Sequence, residues 1–132
     1  MILEFKFKNF RSAKDWQILS FEASADKVSE EYYCTTINDT KVLKLGILYG
    51  ANASGKTNVL LALDFIRKIA ISPKINKMQP IGFTPFLLDD TTKKECGVFE
   101  LTFFVNNMKH IYYLEVENSA VLKETLKYYP GK

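Results

Sequence analysis

Sulfur and imidazole are scarce in this sequence of 132 residues, which carries two cysteines and one histidine. Cys34 and Cys96 lie far apart and form no CxxC or Cys/His spacing, which speaks against a metal site and for reduced thiols in a cytosolic protein. No apolar run approaches the roughly 18 residues of a membrane span, and the opening MILEFKFKNF sets a charge at every second position, which a signal-peptide core does not tolerate. A cytoplasmic chain with no membrane partner is expected. Charge of one sign is also thin, since 18 basic residues stand against 15 acidic ones for a net +3, and no basic block exceeds the pair Lys93 and Lys94. Such a balance makes no case for nucleic acid by itself. Apolar character is plentiful at 47%, enough to bury a core in one domain, or in one piece of a larger domain, and to exclude disorder as the expectation.

The apolar residues are patterned. Leu3, Phe5 and Phe7 alternate with Glu4, Lys6 and Lys8, the period of a half-buried strand. WQILSFEA, Trp16 to Ala23, predicts a second strand, joined to the first by the polar turn NFRSAKD, Asn9 to Asp15, in an antiparallel hairpin. Residues 24–41 are polar and without a clear period, and read as an exposed excursion with room for one helical turn. VLKLGILY, Val42 to Tyr49, then reads as a buried strand that delivers the chain into a glycine loop. After Lys56, the apolar residues Val59, Leu60, Leu63, Phe65, Ile66 and Ile69 recur at helical spacing; Arg67 and Lys68 occupy the last turns, and Pro73 ends the helix. Pro73, Pro80, Pro85, Gly82 and Gly97 mark residues 72–97 as an irregular connection. Val98 to Val105 and His110 to Glu117, about a turn at Asn106 and Asn107, form the clearest hairpin, and Val121 to Tyr129 extends it into an antiparallel meander. The fold class is α/β (α+β).

Between the predicted strand and helix lies GANASGKT, Gly50 to Thr57. A strand, GxxxxGK[ST] and a helix make a Walker A arrangement. Gly50 lets the chain leave the strand in a tight turn, and backbone N–H groups of residues 52–57 can converge on phosphate oxygens at the positive end of a helix. Gly55 leaves room for phosphates to pass close to its backbone. Lys56 would reach the β and γ phosphates as a point charge, and Thr57 would ligate Mg²⁺ through its hydroxyl. The four fixed positions coincide by chance in a chain of this length with a probability of roughly half a percent.

The opening MILEFKFKNFRS, the loop YGANASGKTNVLLAL and the segment from Pro85 to Pro130 together resemble the N-terminal part of ABC-type ATPases, the group of RecF-like and structural-maintenance-of-chromosomes heads. Within that group they look most like the bacterial AAA-labelled, ABC-like ATPases of phage defence and abortive infection, including relatives of the overcoming-lysogenisation-defect nucleases. The resemblance implies a partial P-loop NTPase of ABC type and ATP with Mg²⁺ as cofactors. It implies that Asn52 lies near the γ phosphate, that Ala53, Ser54, Gly55, Lys56 and Thr57 belong to the phosphate and magnesium site, and that Arg11 and Ser12 of the FRS turn lie beside the nucleotide. Arg11 reads equally as a solvated turn residue. Lys14 is a weaker candidate, and Asn58 fits the pattern but also suits a first helical turn.

Other parts of such an ATPase are missing from the sequence. Hydrolysis needs a second carboxylate motif, a glutamate that orients water, and a signature that closes from a second head. No two glycines are adjacent, so no LSGG-like signature is present. PFLLDDTT, Pro85 to Thr92, imitates a Walker B strand ending at Asp89 and Asp90, but its apolar run is short and a solvated loop carboxylate is the expectation. Gln79 reads as a loop glutamine and His110 as a cross-strand surface residue. Tyr112, Tyr113, Phe103 and Phe104 read as sheet packing. The 132 residues are therefore expected to form a single N-terminal lobe of an ATPase head, binding ATP while hydrolysing little of it alone. The lobe would be completed by a further lobe or partner subunit, with nucleic acid a matter for the parent protein only, and its exposed sheet edges invite self-association. Two alternatives stay open: a non-enzymatic interaction module with a vestigial loop, and a small complete kinase or GTPase using Asp89.

Overall fold

Each strong period in the sequence becomes an element. The computed structural model describes residues 1–24, 30–71 and 80–130. Strands β1 (Ile2–Lys8), β2 (Gln17–Ser20), β5 (Gly97–Val105), β6 (Met108–Val116) and β7 (Val121–Tyr129) form one sheet in the order β2-β1-β5-β6-β7, all neighbours antiparallel. The N-terminal hairpin and the C-terminal meander are thus one surface, joined where β1 pairs with β5. Helix α2 (Lys56–Ile71) lays Ala62, Phe65 and Ile66 on one face of it. Between them sits a cluster of rings from Phe5, Phe7, Phe10, Phe83 and Phe99. The other face of β1 is wet, with Lys6 bound to Glu4 at 2.8 Å and 3.7 Å from Glu100.

A register shift between Ile2 and Glu4 alters the first alternation. A bulge inserts one residue and turns the following side chains over, so Leu3 parts company with Phe5 and Phe7. It joins Val42 and Phe104 in a second, smaller cluster, backed by Phe21 and Ile37.

Residues 30–41 are more regular than their composition predicts. Beyond 25–29, which lie outside the described residues, a short helix α1 (Glu30–Tyr33) leads into a hairpin of β3 (Cys34–Ile37) and β4 (Thr40–Leu43). Its turn residues Asn38 and Asp39 both have positive φ, 47° and 63°, the conformation of a two-residue hairpin turn and one that Asn and Asp tolerate. Asn106 and Asn107, at 48° and 61°, repeat the device between β5 and β6. Glycine suits the second position better than any L-residue, so Asn107→Gly is expected to raise stability by about 0.5 kcal/mol in equilibrium denaturation.

The segment read as a buried strand, Val42 to Tyr49, is corrected. Val42 is fully buried within β4, but residues 45–50 form no helix or strand and pair with no strand among the described residues. Ile47 is 75% and Tyr49 92% exposed. The apolar run has the composition of a central strand without neighbouring strands to cover it. No helix among the described residues is long and apolar enough to cross a membrane.

Candidate functional site

The turn after β1 is less polar in its surroundings than its composition predicts. Phe10 and Ala13 exchange two backbone hydrogen bonds of 2.9 Å, leaving Arg11 and Ser12 at the tip, and Asn9, Phe10 and Ala13 are buried. Asn9 holds this turn to the connection that precedes β5. Its amide nitrogen donates to the carbonyls of Thr92 at 2.8 Å and Glu95 at 2.9 Å, and its oxygen accepts from the N–H of Phe86 at 2.9 Å. Its φ of 51° is one that asparagine adopts more readily than most side chains. The Arg11 N–H adds a bond to the carbonyl of Thr84 at 2.9 Å. Sequence reasoning passed over Asn9; the available signal was a lone asparagine directly before a turn, where a short amide can serve a backbone that its neighbours leave unsatisfied.

The glycine loop approaches from the other side. Gly55 has φ 90° and Ala53 φ 63°, so the loop uses left-handed backbone at a residue with a side chain as well as at a glycine. A Cβ on Gly55 would meet Ser12 Oγ at an ordinary 3.5 Å, so its backbone angle, rather than crowding, requires glycine here. The ammonium of Lys56 folds back into the loop, donating to the Gly50 carbonyl at 2.8 Å, to the Ala51 carbonyl, and to Ser54 Oγ at 3.3 Å. Helix α2 starts at Lys56, where the leading N–H groups of a helix have no acceptor within it and carry a partial positive charge. Two residues further, the Asn58 amide donates to Ser12 Oγ and joins the helix to the β1–β2 turn.

Between turn and loop lies a cavity of about 510 Å³. Ser12, Ala13 and Lys14 line it from the turn, Ser54, Gly55, Lys56 and Asn58 from the loop and helix, with Phe7, Phe86 and Tyr49 among the remaining walls. Of the residues expected to form a site, the fold brings Ser12, Ser54, Gly55, Lys56 and Asn58 together there. Gly50, Asn52, Ala53 and Thr57 belong to the same loop and helix start but not to the cavity wall. The Arg11 side chain is exposed, with its guanidinium 5.6 Å from the Phe10 ring, and stands outside that wall. A larger cavity of about 810 Å³ between α2 and strands β5 to β7 is mainly apolar and holds no residue of the loop. At its edge the partly buried Tyr112 hydroxyl donates to Glu124 at 2.6 Å and has its pKa pushed up by burial and by the carboxylate.

Asp89 does not end a strand, since residues 80–87 are irregular and 88–90 form a bend leading into a short 3₁₀ turn, Thr92–Lys94. Its carboxylate is an ion-pair partner of Lys14 and accepts from the N–H of Thr91 at 2.9 Å and its hydroxyl at 2.6 Å. The Lys14 bond, followed by the two from Thr91, holds the carboxyl well below the usual range, and the same carboxylate raises the Lys14 ammonium. Because the folded value is the lowered one, whatever the pair adds to stability is present at neutral pH and is lost only as strong acid protonates Asp89. His110 sits in β6 stacked 5.2 Å from Phe103, its cross-strand neighbour, with Nδ1 3.0 Å from the Met108 carbonyl. Gln79 lies outside the described residues.

A family model for AAA-type domains matches the greater part of the chain, which fits the class of AAA-labelled, ABC-type ATPase domains of the abortive-infection kind, whose general function is nucleotide binding. The chain belongs to the family described as "AAA domain, putative AbiEii toxin, Type IV TA system", whose model matches residues 46–132. No curated protein matches the chain.

Proposed function

We propose that residues 1–132 act as the N-terminal lobe of an ABC-type ATPase head and bind the triphosphate of ATP, with Mg²⁺, through Gly50 to Thr57. The observation that carries this reading is the Lys56 ammonium folded into its own loop, beside the first N–H groups of α2 and within a cavity that the Ser12 turn completes. These donors suit an anion: a phosphate oxygen would replace the Gly50 and Ala51 carbonyls as acceptor for Lys56, while backbone N–H groups of the loop supply further bonds. Thr57, exposed on the first turn of α2, would present its hydroxyl to Mg²⁺, which neutralises phosphate charge when bound. Turnover would require a carboxylate pair and a signature from another lobe or subunit. The exposed segment 45–49 favours that completion, since flanking strands would cover Ile47 and Tyr49.

Titration of a fluorescent ATP analogue in the presence of Mg²⁺ tests the reading. Lys56→Ala is expected to weaken binding by about 10- to 100-fold, the worth of a charge-assisted phosphate contact. Equal affinity of the two proteins would remove the proposal. The same exposed segment favours a second reading, an interaction module with a vestigial loop. Light scattering separates the two, because a monodisperse monomer that binds ATP counts against the module.

A further inference from the structure

We infer that Lys14 is a second cationic contact for the phosphate chain, held on Asp89 until an anion enters the cavity. The inference rests on the nucleotide site proposed above and deepens it. Two lysines line one cavity and come from separate elements, Lys56 from the loop and Lys14 from the β1–β2 turn. Their resting partners differ. Lys56 is bound to neutral oxygens, whereas Lys14 is paired with a carboxylate.

Asp89 is the fixed member of that pair, because the N–H and hydroxyl of Thr91 both hold its Oδ1 while Lys14 engages Oδ2. Lys14 is the movable member, a four-carbon stem carrying a point charge, with its side chain 46% exposed against 25% for Asp89. Other carboxylates near Lys14 are those of Asp15 and Glu95, so it lies in a field that a polyphosphate must outcompete. A single carboxylate is weaker competition than a triphosphate, whose several oxygens offer alternative acceptors at higher charge. A purely structural role, tying the turn to residues 84–96, is already filled by Asn9 and by the Arg11 N–H. Asp89, itself outside the cavity wall, therefore holds the ammonium that a phosphate oxygen would draw away when ligand is bound.

Calorimetric titration of the whole chain with MgATP, and in parallel with AMP, decides the matter. Lys14→Gln is expected to weaken MgATP binding about tenfold and to leave AMP binding nearly unchanged. Asp89→Asn releases the lysine and is expected to tighten MgATP roughly threefold, an effect that disappears when combined with Lys14→Gln. A structural tie predicts the opposite sign, so weaker binding by Asp89→Asn overturns the inference, as does undiminished MgATP affinity in Lys14→Gln. Thermal unfolding checks each variant, and Lys14→Met, which keeps the apolar stem, takes the place of Lys14→Gln if the latter does not fold. Lys56→Ala distinguishes the two failures. If it loses MgATP while Lys14→Gln does not, the Lys14 inference falls and the site stands; if Lys56→Ala binds normally, both fall.

Discussion

Asn9→Leu is expected to lower the free energy of unfolding by about 4 kcal/mol, read from urea denaturation. Leucine is close in size, so the loss comes from polar groups rather than volume. The carbonyls of Thr92 and Glu95 and the N–H of Phe86 lose a buried partner, each at about 1–3 kcal/mol if left unsatisfied. Partial access of those groups to water holds the sum near the lower end. A left-handed backbone at φ 51° adds about 1–2 kcal/mol for a side chain that does not favour it. Asn9→Gly accepts that angle without strain and isolates the hydrogen-bond share, with an expected loss of about 2–3 kcal/mol. Equal losses in the two variants would show that backbone strain contributes nothing; a loss under about 1 kcal/mol in both would show that the clamp is dispensable.

Phe99→Ala is expected to cost about 4 kcal/mol, within the usual range for removing a fully buried phenyl ring. Phe99 is 0% exposed, and its ring lies 5.1 Å from Phe65 of α2, 5.4 Å from Phe10 of the turn and 6.4 Å from Phe7 of β1. It is therefore the point at which helix, turn and sheet meet, and aromatic pairs of this kind carry energy beyond their buried area. A domain of this size has about 5–15 kcal/mol in all, so the variant should melt far below the parent in a thermal scan. Tyr113 offers a contrast. Its hydroxyl donates to Glu115, and partial burial first, with that carboxylate second, has its pKa pushed up to about 12. Tyr113→Phe should leave the thermal midpoint nearly unchanged.

The parts of the fold that were legible are those in which a residue's role is decided close by. The alternation of buried residues in β1 and along the second half of β6, and the period of 3.6 in α2, hold in the structure, whereas β5 buries residues in both core clusters. The paired asparagines at 106 and 107 announce their turn by their own backbone preference. What escaped was decided at a distance. β3 and β4 are four residues each and mostly half-buried, so they show little alternation, and only the Asn38–Asp39 pair betrays them. Residues 45–49 were read as buried because apolar composition records what a segment requires, whereas exposure depends on which strands lie beside it. In the candidate site, Gly55 and Lys56 were visible in the motif and Ser12 through the resemblance. The Lys14–Asp89 pair spans 75 positions and the Asn9 clamp more than that, and no local pattern encodes either.

The back-folded lysine has a last consequence. With its ammonium already bonded to the Gly50 and Ala51 carbonyls, the loop keeps its positive charge, and a ligand of the proposed site would gain only the margin by which its oxygens exceed peptide dipoles. Sugars and other uncharged guests have almost no such margin, whereas a polyanion has a large one. At the proposed site, selection would therefore be a matter of valence before it is a matter of shape.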